Sequence, residues 1–225
     1  MNLKILSLVI IGVCILLPDV CYAFLSKDVH LLNMQNGLAD NTVSAVYKDK
    51  EGFVWFGTRN GLSRYDGRRI TNFERSRSYP SISNLKEVFD GVLAFVDNGV
   101  FSAFDLKKER FLSVVSSSGQ GIPSRGMLQK NDSLVWVISG SELHLMKRCA
   151  SKEGELRLRV EEKYTGWDNQ DNLLVAITYS SDKKSICLID EKGRIILLDA
   201  TNLSFFRVID LGRTGSLSVN SVLYD

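Results

Sequence analysis

The chain has 225 residues, 44% hydrophobic and 24% charged, and its 28 lysines and arginines nearly balance 26 aspartates and glutamates, giving a formal net charge of +2. So even a balance offers no broad basic face for nucleic acid. With three prolines and no low-complexity stretch, the composition also argues against a disordered chain and is apolar enough to bury a core.

Residues 1–23 read as an export signal and are set aside from the fold. Lys4 supplies the positive start, and residues 5–17 form an apolar run shorter than the roughly 20 residues that cross a bilayer. Pro18 and Asp19 break that run. Cys21-Tyr22-Ala23 places small residues where a signal peptidase reads, which predicts cleavage before Phe24 and export of residues 24–225. A lipoprotein anchor on Cys21 is the rival reading, but Asp19 and Val20 fit poorly in the small-residue run it needs.

Val29-His30-Leu31-Leu32 then reads as a lone strand. Residues 42–74 follow as a four-strand meander. Phe53-Val54-Trp55-Phe56 is apolar at every position, which a strand tolerates only when both faces are covered. Asn60-Gly61 is expected to take the positive φ of a two-residue hairpin turn. Residues 62–65 return, Asp66-Gly67 turns again, and Arg69-Ile70-Thr71-Asn72-Phe73 mixes polar and apolar residues, as an outer edge half in water would.

The pattern recurs three times. Residues 85–115 repeat it around an Asn98-Gly99 turn, and residues 125–163 around Leu134-Val135-Trp136-Val137-Ile138 and Ser139-Gly140. Residues 172–210 repeat it around residues 186–189 and Lys192-Gly193. The turn glycines 61, 99, 140 and 193 stand 38, 41 and 53 apart, against the roughly 40 to 50 residues of a four-stranded propeller blade. At the end, Val219, Val222 and Asp225 repeat the spacing of Val43, Val46 and Asp49, so residues 218–225 read as the first strand of a further blade.

The predicted fold is therefore all-β, a β-propeller of about four four-stranded blades with a lone strand at each end. It is expected to be part of a larger ring, of seven blades, in the front portion of a longer protein. Buried helices are the first alternative, but glycine turns every dozen residues leave them no room. A two-sheet sandwich is the second, although its core strands should alternate rather than run continuously apolar.

Single residues read mostly as structural. Trp55 and Trp136 sit mid-strand and are assigned to packing between blades. Asp49, Asp66, Asp105, Asp190 and Asp199 fall at strand ends, where their carboxylates are expected to bond turn backbone. His144 lacks the companions of a metal ligand. Cys187, in an apolar run, reads first as a buried thiol; a Cys149–Cys187 bridge is the lesser alternative in an exported chain. No cofactor is expected.

The stretch from Asn36-Gly37-Leu38-Ala39-Asp40-Asn41-Thr42-Val43 through Gly52-Phe53-Val54-Trp55-Phe56-Gly57-Thr58-Arg59-Asn60-Gly61 to Tyr65-Asp66-Gly67 resembles the two-component regulator propeller repeat. The resemblance covers residues 33–67 and returns at 217–225, while the middle blades lack the Trp-Phe-Gly-Thr element. Such repeats fill the periplasmic part of hybrid two-component sensor kinases of Bacteroides-type bacteria. The resemblance thus implies a sensor that detects breakdown fragments of polysaccharides, and a non-enzymatic role for this chain, with the kinase in a C-terminal part. It implies as partners an oligosaccharide, the remainder of the sensor chain and a second copy in a homodimer. Membrane contact would come only through segments outside this sequence.

Two other readings stand beside it. A carbohydrate-active propeller enzyme should bring carboxylates together from first strands, which offer Glu87 without an obvious partner. A scaffold for protein contacts is compatible with the same fold. In an antiparallel blade, the turn between second and third strands shares one face with the links between blades. Those links carry Arg75, Arg77, Tyr79, Arg125, Trp167 and Arg213, the candidate ligand contacts, set against the plain alternative of solvated loops.

Overall fold

The continuous apolar runs do form strands. A computed structural model describes residues 31–74, 82–165 and 172–210, and everything below concerns the unit that begins at Asn33. The predicted signal, most of the strand at 29–32, the links at 75–81 and 166–171, and residues 211–225 lie outside the described residues. Leu31 and Leu32, the described part of the lone strand, belong to no strand.

The first blade is a meander of β1 (Val43–Lys48), β2 (Val54–Thr58), β3 (Gly61–Tyr65) and β4 (Ile70–Phe73). The second holds β5 (Ile82–Phe89), β6 (Val92–Asp97), β7 (Val100–Asp105) and β8 (Arg110–Ser116). The third holds β9 (Gly126–Gln129), β10 (Leu134–Ser139), β11 (Glu142–Cys149) and β12 (Glu155–Tyr164), and the fourth β13 (Leu174–Tyr179), β14 (Ser185–Asp190), β15 (Arg194–Asp199) and β16 (Phe205–Asp210). Within every blade, consecutive strands pair antiparallel. The middle strands are largely buried on both faces, β6 along its whole length, whereas β4 exposes its two central residues and half-buries its ends.

What makes these sheets blades is where their cores lie. One apolar cluster joins Trp55 and Leu62 of blade 1 to Leu93, Phe95 and Phe104 of blade 2. A second joins Val96 and Phe101 of blade 2 to Met127, Val135 and Leu158 of blade 3. The third joins Trp136 and Leu143 of blade 3 to Ile177, Leu188 and Ile196 of blade 4. Every cluster thus sits between two consecutive sheets. The first strands β1, β5, β9 and β13 also neighbour one another in that order, so the sheets fan out from a shared inner edge. The fold is all-β, an arc of a β-propeller, and the sandwich alternative falls. On the flank of β1 facing away from blade 2, Val46 stays 61% exposed, as an arc of a larger ring leaves it.

The third blade's hairpin turns through Gly140-Ser141 rather than Ser139-Gly140, because Ser139 still pairs with Glu142, and two further details depart from expectation. The first hairpin turns through Arg59-Asn60, because Thr58 pairs with Gly61 and β3 starts at that glycine. Gly61 has φ +117, and a Cβ there would lie 2.5 Å from the Phe73 carbonyl oxygen of β4, so the glycine serves the strand rather than the loop. In the second blade, Asn98-Gly99 is the turn as expected, with φ of 49 and 79. The other departure is that β8 and β12, outer strands of successive blades, pair in parallel and fuse blades 2 and 3 into one eight-stranded sheet. Leu156 and Leu158 drive this by turning inward onto blade 2, while Lys108 and Arg110 reach Glu153 at 2.8 and 3.0 Å.

The segment before β1 is strapped over blade 1. Asn33 and Asn36 cap a short 3-10 turn (Met34–Asn36) reciprocally. The Asn72 side chain donates to Gly37 O at 2.8 Å, that of Asn60 donates to Ala39 O at 3.1 Å, and Ala39 N donates to Ser63 Oγ at 3.1 Å.

Candidate functional site

Of the six residues singled out on the link face, only Arg125 lies among the described residues; Arg75, Arg77, Tyr79, Trp167 and Arg213 fall outside them. Arg125 is exposed. Its backbone is fixed: its N–H donates to Ile138 O at 3.0 Å and its carbonyl accepts from Asn84 Nδ2 at 3.0 Å. The link that carries it is no free loop. Ile122 and Ser124 are buried, and Phe101 N donates to Ile122 O at 2.8 Å.

On the opposite face, the turns between first and second strands and between third and fourth strands leave a cleft of about 250 Å³ between blades 1 and 2. Blade 1 supplies Lys50, Phe53 and Arg64, with Trp55 beneath, and blade 2 supplies Glu87, Asp90, Leu106 and Lys107. Arg125, the described candidate of the link face, is not among its lining residues.

Its geometry starts from Asp49. One oxygen accepts from Phe53 N at 2.9 Å, which closes the turn, and the other accepts from Trp55 Nε1 at 2.7 Å. Trp55 is thereby fixed flat against Phe73, with ring centroids 5.6 Å apart, and tilted against Phe104 of blade 2 at 5.5 Å. The Arg64 guanidinium lies 4.8 Å from the Phe53 ring centroid and forms an ion pair with Glu109 of blade 2 at 2.6 Å.

At the mouth, Lys50 Nζ reaches Glu87 across the blade boundary at 3.3 Å, and Glu87 also accepts from Gly91 N at 3.1 Å. That hydrogen bond raises the Lys50 pKa. Lys107 pairs with Asp90 at 3.0 Å and holds that carboxyl below its ordinary pKa. Glu87 is thus paired with a lysine across the boundary, and Asp49, Glu51 and Asp90 line the same cleft.

The remaining expectations resolve simply. Asp66, Asp105, Asp190 and Asp199 each accept two turn N–H groups, as Arg68 N and Arg69 N do for Asp66 at 2.7 and 2.6 Å. His144 Nε2 contacts Glu142 at 2.6 Å, and no cluster of three or more potential metal ligands occurs among the described residues. Cys149 and Cys187 are free thiols, Cys187 buried, with its pKa raised by that burial. No helix among the described residues is long and apolar enough to cross a membrane.

Comparison with known proteins attaches a family to blade 1. Residues 37–60 match the two component regulator propeller family. The match runs from the glycine ending the 3-10 turn to the first hairpin, the stretch that contains the Asp49–Trp55 bond. No curated protein matches the chain.

Among solved structures, the chain is similar to one described as the extracellular domain of a one component system, BT4673, of B. thetaiotaomicron. That likeness has a TM-score of 0.59 at 16% identity, over 80% of this chain and 27% of that one. It is also similar to the β-propeller domain of Cps50 (Swd1) from Myceliophteria thermophila, with TM-score 0.54 and 16% identity over 78% of this chain and 57% of that one. A third likeness is to the WD40 propeller of Doa1, with TM-score 0.52 and 12% identity over 76% of this chain and 54% of that one. The chain thus spans little more than half of the Cps50 and Doa1 propeller domains and about a quarter of the bacterial one. At these identities the likeness establishes the fold: a propeller arc.

Proposed function

We propose that this chain is the ligand-sensing propeller of an extracytoplasmic bacterial regulator, and that its ligand is an oligosaccharide released from polysaccharide. The observation that carries the reading is the two component regulator propeller match at residues 37–60, a stretch that contributes Trp55 to the core between blades 1 and 2. The likeness to an extracellular domain of a B. thetaiotaomicron regulator supports it. In this reading the chain is exported to the periplasm, a kinase and DNA-binding output belong to segments outside this sequence, and signalling pairs two copies. Two surfaces are open to the ligand: the link face, where Arg125 is exposed, and the cleft between blades 1 and 2.

Calorimetric titration of the full chain with a panel of plant and host oligosaccharides tests the reading. Saturable binding of at least one, recovered intact after incubation, is expected. Cleavage of the bound glycan would favour the enzyme reading instead, and failure to bind any would overturn the sensor reading.

A further inference from the structure

We propose that the cleft between blades 1 and 2 is a subsite for one ring of an uncharged sugar, an inference that rests on the sensor reading above. Its charges point to the ligand class. Each of its cations already has a carboxylate: Lys50 has Glu87, Arg64 has Glu109 and Lys107 has Asp90. An anionic ligand would compete at every cation with a carboxylate already in place. A hydroxyl group need break nothing, because it can donate to the carboxylate and accept from the ammonium of the same pair.

The mouth is suited to that. The Lys50 and Lys107 side chains are 71% and 74% exposed, so their remaining N–H groups are accessible, and Asp90 at 73% keeps an oxygen open to a donor. Glu87, by contrast, is 8% exposed and held by Gly91 N, which makes it a fixed reference point at the back.

The walls complete the match. Phe53 and Leu106 give the cleft an apolar side, suited to the C–H face of a pyranose, and Phe53 is steadied by the Arg64 guanidinium. At about 250 Å³, the space is smaller than the roughly 300–1,000 Å³ of pockets for drug-sized ligands, so it takes one ring while the rest of the chain extends over the turns. The cleft straddles two blades, so an occupied subsite ties blade 1 to blade 2.

The test titrates the full chain with neutral disaccharides (maltose, cellobiose, mannobiose, xylobiose) and with digalacturonate, in the native protein and three variants. Asp90→Ala removes an exposed acceptor, Phe53→Leu keeps apolar volume but removes the ring, and Arg125→Ala probes the link face. Thermal melts confirm that each variant is folded. Binding of a neutral disaccharide that weakens about tenfold in Asp90→Ala, the scale of one lost hydrogen bond, and also weakens in Phe53→Leu, is the expected result. Neutral binding that falls only in Arg125→Ala would overturn the cleft assignment and leave the sensor reading standing. Binding of digalacturonate alone would overturn the uncharged class. Binding of none of the five probes would overturn the subsite, and the broader glycan panel would then decide the sensor reading separately.

Discussion

Trp55→Ala is expected to lower the unfolding free energy by about 3–5 kcal/mol, the usual cost of removing a buried indole. The side chain is 1% exposed and fills the boundary between blades 1 and 2, against Phe73 on its own blade and Phe104 on the next. Those rings continue through Phe111, 5.1 Å from Phe104 and 6.2 Å from Phe95, so the cavity opens in the middle of an aromatic row. Truncation also strips the Asp49 carboxylate of its indole donor. Trp55→Phe narrows the comparison: it keeps one ring in the boundary but loses the N–H and the second ring of the indole, for an expected loss of about 1–3 kcal/mol. Urea unfolding followed by far-UV circular dichroism reads both. Equal losses in the two variants would mean that what both remove, the N–H and the indole's second ring, dominates over the ring that Phe retains.

At the other end of the arc, Asp190→Ala is expected to cost about 3–5 kcal/mol, the scale of breaking a buried ion pair by removing one partner. Asp190 is fully buried. One oxygen accepts from Lys192 N at 3.0 Å and Arg194 N at 2.9 Å, and the other takes the Arg194 guanidinium through Nε at 2.8 Å and a terminal nitrogen at 2.6 Å. The Arg194 side chain is 12% exposed, so water cannot fully replace the lost carboxylate. Asp190→Asn keeps an acceptor for the turn and should lose less. Because each blade rests mainly on its neighbours, the damage should be local. Amide exchange should quicken in β14 and β15 of Asp190→Ala while β6 and β7 stay protected; uniform loss of protection would show that the arc unfolds as one unit.

Much of the fold is legible in the sequence because continuous apolar runs admit few explanations. A strand such as Leu93-Ala94-Phe95-Val96 needs cover on both faces, and flank-to-flank blades supply it. The strand-end aspartates were equally readable, since an Asx-type turn is a local event. What resisted is non-local. The Leu156-Arg157-Leu158-Arg159 alternation says which face is buried but not that the strand will pair in parallel with β8, more than forty residues earlier.

The cleft was missed for the same reason. Lys50 and Glu87 are 37 residues apart, and each alone looks like an ordinary solvated turn or strand-end charge. A usable signal was the turn between first and second strands of the blade repeat: Asp49-Lys50-Glu51-Gly52 sits on the same face as Asp90-Gly91, so charges in equivalent turns of adjacent blades meet at their boundary. Gly61 misled because Asn-Gly looks like a turn wherever it stands, whereas here the close approach of the Phe73 carbonyl fixes the glycine.

The account stands on blade 2 laying its first strand into blade 1, and a double-mutant cycle between Gly57→Ala and Ile82→Ala measures that contact. A Cβ on Gly57 would lie 2.5 Å from Ile82 Cγ2, 3.1 Å from Ile82 Cβ and 3.3 Å from Ala45 Cβ. Gly57→Ala alone should cost about 1–3 kcal/mol through overpacking, and Ile82→Ala alone about 2–5 kcal/mol. Together they should cost less than their sum by about 1 kcal/mol or more, because the shortened Ile82 makes room for the new methyl. Losses that add to within about 0.5 kcal/mol, as independent sites do, would contradict the packing of these sheets as blades.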